Sequence, residues 1–73
     1  MAKSIYSKEH KHLVKKLREA RREKGLDQKK VAELLGMTQS HISKIESGQR
    51  RIDIVQLKKF AEIYGKPITY FLE

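Results

Sequence analysis

The residues from Thr38 to Ser47, TQSHISKIES, hold the side chains best suited to do chemistry. Wound as a helix with Ile42 and Ile45 turned inward, this stretch presents Ser40, Ser43 and Lys44 on the opposite side, with Gln39 and His41 on the flanks. Two hydroxyls, a carboxamide and an ammonium group make a surface that donates and accepts hydrogen bonds while carrying little charge. Such a surface recognises polar edges; it does not break bonds. Ser40 and His41 are no nucleophile–base pair, because adjacent helical residues diverge and no acid is placed to orient the imidazole. His10 and His12 stand two apart on an expected helix and point in different directions, and the chain has no cysteine. Neither a metal nor a cofactor is expected, and an enzyme is not.

The charge supplies a second chemistry. The chain has 73 residues and a formal net charge of +8. Residues 1–51 carry 14 basic and 6 acidic side chains, whereas residues 52–73 carry 3 of each. All the excess lies in the first two-thirds, which points to a polyanion, nucleic acid first. The length fits one domain with a modest core and little room for a catalytic cleft. No stretch approaches the roughly 18 apolar residues of a spanning helix, and the N-terminus lacks the apolar run of a signal peptide. A cytoplasmic, nucleoid-associated protein without membrane contact is the expectation.

The elements that must position these groups are helical throughout. Gly25, Gly36, Gly48, Gly65 and Pro67 separate segments with helical spacing, and no run alternates as a strand does. The first segment runs from about Ser7 to Lys24, with Leu13, Val14, Leu17 and Ala20 as its buried stripe and Ser7 as a cap. Its cations Lys11, Lys15, Lys16, Arg18 and Arg22 read as a solvated face that steers a polyanion from a distance. The second runs from Gln28 to Leu35 behind Asp27, and the third from Gln39 behind Thr38. The fourth runs from Ile54 to Tyr64, where Asp53 and Gln56 form a capping box and Ile54, Leu57, Phe60, Ala61 and Tyr64 form the apolar stripe. Thr69 to Leu72 makes a last turn. Residues 1–8 are expected as a flexible arm and residues 9–73 as the domain.

Segments two and three together form a helix-turn-helix signature. Ala32 is small where the two helices approach, Gly36 permits the sharp turn between them, and Ile42 and Ile45 pin the second helix from beneath. The outward face of that helix is then free to enter a major groove of DNA. The chain resembles the phage-repressor/Cro-like (lambda repressor-like) helix-turn-helix family. The resemblance rests on Gly25-Leu26-Asp27-Gln28, on residues 31–36 and 37–48, on Arg50-Arg51-Ile52-Asp53 and on Gly65-Lys66-Pro67-Ile68, and covers about residues 10–72.

The resemblance implies an all-α fold, a compact bundle of five helices with helices two and three as the helix-turn-helix. It also assigns positions. Gln39, Ser40, Ser43 and Lys44 match base-reading positions; a glutamine suits adenine, and Lys44 suits either guanine or a phosphate. Gln28 matches a phosphate-contacting position at the start of helix two. Thr38, His41, Gln49, Arg50 and Arg51 are expected to contact phosphates around it. Arg21 and Glu46 match a structural ion pair joining helix one to the end of helix three. Ile68, Tyr70, Phe71 and Leu72 either form a dimer interface or close the core. The expected function is a sequence-specific double-stranded DNA-binding regulator, a homodimeric repressor on an inverted repeat. The alternative is an antitoxin or adaptor module whose main partner is a protein.

Overall fold

The computed structural model describes residues 7–73. Five helices follow in chain order: α1 Lys8–Glu23, α2 Gln28–Leu35, α3 Gln39–Glu46, α4 Ile54–Tyr64 and α5 Ile68–Leu72. There is no strand among the described residues. Most of the expected arm, residues 1–6, lies outside the described residues; Ser7 caps α1 and Lys8 opens it.

Four helix starts are set by short polar side chains that satisfy otherwise orphaned backbone donors. Ser7 Oγ accepts from the His10 N–H at 3.1 Å, Asp27 from Lys30 at 2.8 Å, Thr38 from His41 at 3.1 Å and Asp53 from Gln56 at 2.8 Å. At α4 the Gln56 carboxamide oxygen accepts in return from the Asp53 N–H at 3.2 Å, closing the capping box. The turn between α2 and α3 depends on Gly36, whose φ of 68° lies in the left-handed region. Its neighbour Met37 donates its N–H back to the Ala32 carbonyl at 2.8 Å, which closes the end of α2 into a tight turn.

With eight residues each, α2 and α3 are too short to persist alone and are held by packing. Leu17 and Ala20 of α1, Val31 of α2, and Ile42 and Ile45 of α3 meet Phe60 of α4, all fully buried. α1 touches α3, α4 and α5; α2 packs on α3 and α4. This gives α3 an apolar underside and leaves its other side clear.

Ile54 departs from the expected apolar stripe of α4. It is 58% exposed, as is Val55, whereas Leu57, Phe60, Ala61 and Tyr64 are buried. Ile54 is the first residue after the Asp53 cap, and that first turn extends past the edge of the core.

Gly36→Ala tests the turn. A Cβ there meets nothing within 4 Å, so its cost is conformational rather than steric. A loss of about 1–2 kcal/mol is expected, read as a lower urea midpoint with an unchanged slope. An unaltered midpoint means that the turn tolerates a side chain and that its geometry is not fixed by glycine.

Candidate nucleic-acid interface

The placement of α3 begins beneath it, at Glu46. This carboxylate is only 3% exposed, a costly position unless every lone pair is answered. Arg21 of α1 answers with a two-pronged contact: Nε donates to Oε2 at 2.8 Å and Nη2 to Oε1 at 3.1 Å. Its remaining Nη1 donates to the Leu26 carbonyl at 3.0 Å, tying down the loop before α2. The Gln28 carboxamide donates to Oε1 at 3.0 Å. Arg18 Nη1 donates to the backbone carbonyl of Glu46, where the carbonyls at the end of α3 lack helical partners. Three helices are thus tied to one carboxylate and its own carbonyl.

The electrostatics follow from this geometry. The hydrogen bond to Glu46 raises the Arg21 pKa above its ordinary value, against the opposing pull of burial, so the guanidinium stays charged. Tyr64 lies nearby with its hydroxyl buried and without a hydrogen-bond partner among the described residues. Burial first, and the Glu46 charge second, push its phenol well above the ordinary value, while Arg21 pulls the other way.

On the outer side, Ser40, Ser43 and Lys44 are exposed and share the side of α3 away from Ile42 and Ile45, and Gln39 is exposed on the flank of its first turn. Thr38 is exposed at the tip, and His41 is half-buried beside it. The loop after α3 folds back onto the helix end. The Lys44 carbonyl accepts from the N–H groups of Gln49 at 3.0 Å and Arg50 at 3.2 Å, and from the Ser47 hydroxyl at 3.1 Å. Gln49, Arg50 and Arg51 are therefore carried, side chains exposed, on a loop fixed to α3. The four expected base-reading residues are thus exposed on α3, and the cations expected beside them are exposed on the loop that follows its end.

Two expected assignments change in detail. Gln28 was expected to face a phosphate, yet one of its amide hydrogens is spent on Glu46 and the residue is half-buried. Arg18 was expected on a solvated face, yet it holds the end of α3. Its signal was its spacing: three residues before Arg21, it shares that residue's face of α1.

The expected dimer residues separate. Phe71 is 1% exposed and filled in by its own chain, so its side chain offers no surface to a second copy. Tyr70 packs edge-on against Phe71 at 5.0 Å between ring centres, with the ammonium groups of Lys16 and Lys66 at 4.4 and 4.7 Å from its own centre. Ile68 is partly buried, and Leu72 is 61% exposed. Sequence reasoning missed the exposed Ile54 and Val55, which its wheel had turned inward or left unassigned.

A short helix locked from beneath, a tight glycine turn and a polar outer face define a helix-turn-helix DNA-binding domain. The family model described as helix-turn-helix matches residues 17–71, and the chain belongs to this family of DNA-binding transcription regulators. It is 40% identical over 57 residues to the HTH-type transcriptional regulator PuuR of Escherichia coli (strain K12), covering 78% of this chain and 31% of that protein. It is 32% identical over 62 residues to an uncharacterized HTH-type transcriptional regulator of Sinorhizobium medicae (strain WSM419), covering 85% of this chain and 45% of that one. The chain thus matches about a third to somewhat under a half of the length of these relatives. No solved structure matches it at comparable significance.

Two expectations follow. Glu46→Ala strands Arg21 and frees the end of α3. The loss of unfolding free energy is expected near 3 kcal/mol, the low end of the range for buried pairs because Arg21 retains 13% exposure. Adding Arg21→Ala to that variant costs little more, a coupling that a double-mutant cycle measures; simple additivity contradicts the bridge. The second concerns alkaline pH. The unfolded chain releases the Tyr64 proton near pH 10, the folded chain only above that. The stability from this group is full below about pH 10 and is lost as pH rises toward the folded value. Between about pH 9 and about pH 11 the urea midpoint of Tyr64→Phe falls less than that of the parent; an equal fall assigns the alkaline loss to other groups.

Proposed function

We propose that this chain is the operator-reading domain of a repressor that binds an inverted repeat as a homodimer, through the major groove. The observation that carries the reading is the exposed polar face of α3, Gln39, Ser40, Ser43 and Lys44, on a helix whose opposite face is fixed by Ile42, Ile45 and Glu46. Gln39 at the helix tip pairs with adenine N6 and N7, Lys44 with guanine or a phosphate, and the serines with neighbouring edges. Thr38, His41, Gln49, Arg50 and Arg51 supply the flanking phosphate contacts, and Gln28 does so through its second amide hydrogen.

A recognition helix of eight residues spans few base pairs, so a second copy is needed to define a site. Two copies related by a two-fold axis read half-sites about 34 Å apart. Leu72, with the uncovered parts of Ile68 and Tyr70, provides the surface for this pairing. Occupation of an operator by such a dimer blocks other proteins from it, which is the basis for assigning repression. A cytoplasmic, nucleoid-associated location goes with this role.

Selection of bound duplexes from a random pool tests the proposal. An inverted repeat is the expected outcome, and no enriched sequence overturns it. On the selected site, Gln39→Ala is expected to lose about 1–3 kcal/mol at one position of each half-site, with an unchanged melting temperature. Affinity that does not vary with salt contradicts a DNA-binding role and favours the protein-partner alternative.

A further inference from the structure

Where α1 passes the first turn of α2 and the last turn of α3, an open notch of about 300 Å³ remains. Arg18, Arg21 and Arg22 line it against a single carboxylate, Glu46. That carboxylate is already committed to Arg21 and Gln28. Arg18 spends one nitrogen on the Glu46 carbonyl. The Arg22 guanidinium has no ion pair or hydrogen bond among the described residues; the adjacent Glu23 pairs instead with Lys66 at 2.9 Å. The notch therefore holds more positive charge than its one carboxylate offsets. Ser43 also lines it, and that residue is exposed on the outer face of α3, its hydroxyl without a partner among the described residues.

We infer that this notch seats one phosphate of the DNA backbone, gripped by Arg22 with Arg18 behind it and Ser43 beside it. The inference rests on the DNA-reading role proposed above, and adds to it a contact site on α1. A planar guanidinium binds a phosphate through two parallel hydrogen bonds. The linkage through Glu46 holds Arg18 and α3 in a fixed relation before DNA arrives. A phosphate seated here fixes the position of α3 along the groove and carries no base preference itself. Arg22 thus acts as a positioning residue for the contacts made by Gln39 and Lys44.

The test is the salt dependence of affinity for a selected duplex, measured for the parent, Arg22→Gln, Arg22→Lys and the charge-matched control Lys59→Gln on α4. Arg22 is exposed, so its replacement leaves the fold in place. Arg22→Gln is expected to lower the slope of log K against log salt by about 0.9, to weaken binding to every sequence by roughly tenfold and to leave the order of preferred sequences unchanged. Arg22→Lys retains the slope, and Lys59→Gln shifts it less than Arg22→Gln does. A slope unchanged by Arg22→Gln, or changed equally by Lys59→Gln, overturns the seat while leaving the DNA-reading role intact. Inorganic phosphate that shifts the Arg22 side-chain resonance, with the slope for DNA unaltered in Arg22→Gln, assigns the notch to free anions and also overturns it. A parent protein that binds no duplex overturns the DNA-reading role and the seat together.

Discussion

The fold turns on how a buried carboxylate is kept. Glu46 sits at the end of α3, nearly out of reach of water, and an unpaired charge there is intolerable. Arg21 and Gln28 resolve that by reaching it from α1 and α2, and Arg18 holds the carbonyl of the same residue. The linkage does more than neutralise. Its partners lie 18 to 28 residues apart in sequence, so it joins helices that short-range contacts cannot join. A domain of this size is stable by only about 4–11 kcal/mol, and an interaction near 3 kcal/mol is a large share of that.

The arrangement separates two tasks along one short helix. Ile42, Ile45 and Glu46 face inward and set where α3 lies; Ser40, Ser43 and Lys44 face outward, Gln39 is exposed on the flank, and these four contribute little to holding it. Because the outward residues bear little packing load, their identities are free to change without cost to the fold. The +8 charge belongs to a different task again. Clustered in residues 1–51, it supplies attraction to a polyanion that does not depend on base sequence. The Gln49 and Arg50 N–H groups on the Lys44 carbonyl hold part of that charge at the end of α3.

Local interactions were legible in the sequence. Ser7, Asp27, Thr38 and Asp53 announce helix starts because a short polar side chain and the N–H three residues on are all that a cap requires. Gly36 announced the turn because left-handed backbone strongly favours glycine. The Arg21–Glu46 pair came from family resemblance, and wheel geometry alone did not reveal it. Arg18 reads as solvated on its own helix, and nothing on α2 alone gives Gln28 an internal partner, because only the assembled bundle brings Glu46 to them. Ile54 shares the angular position of the core stripe but lies beyond the end of the core, a distinction an angular wheel cannot make. Phe71 carried an apolar signal that does not say whether its own chain or another covers it; its own chain does.

The central claim is that the side of α3 opposite the Glu46 linkage is the surface that meets DNA. Backbone amide shifts, followed by nuclear magnetic resonance as a selected duplex is added, test it most directly. The account predicts the largest changes from Gln39 to Lys44 and in the loop Gln49–Arg51, with the salt-sensitive part of the response in the loop. Changes concentrated around Ile54, Val55 and Leu72, with α3 silent, contradict it.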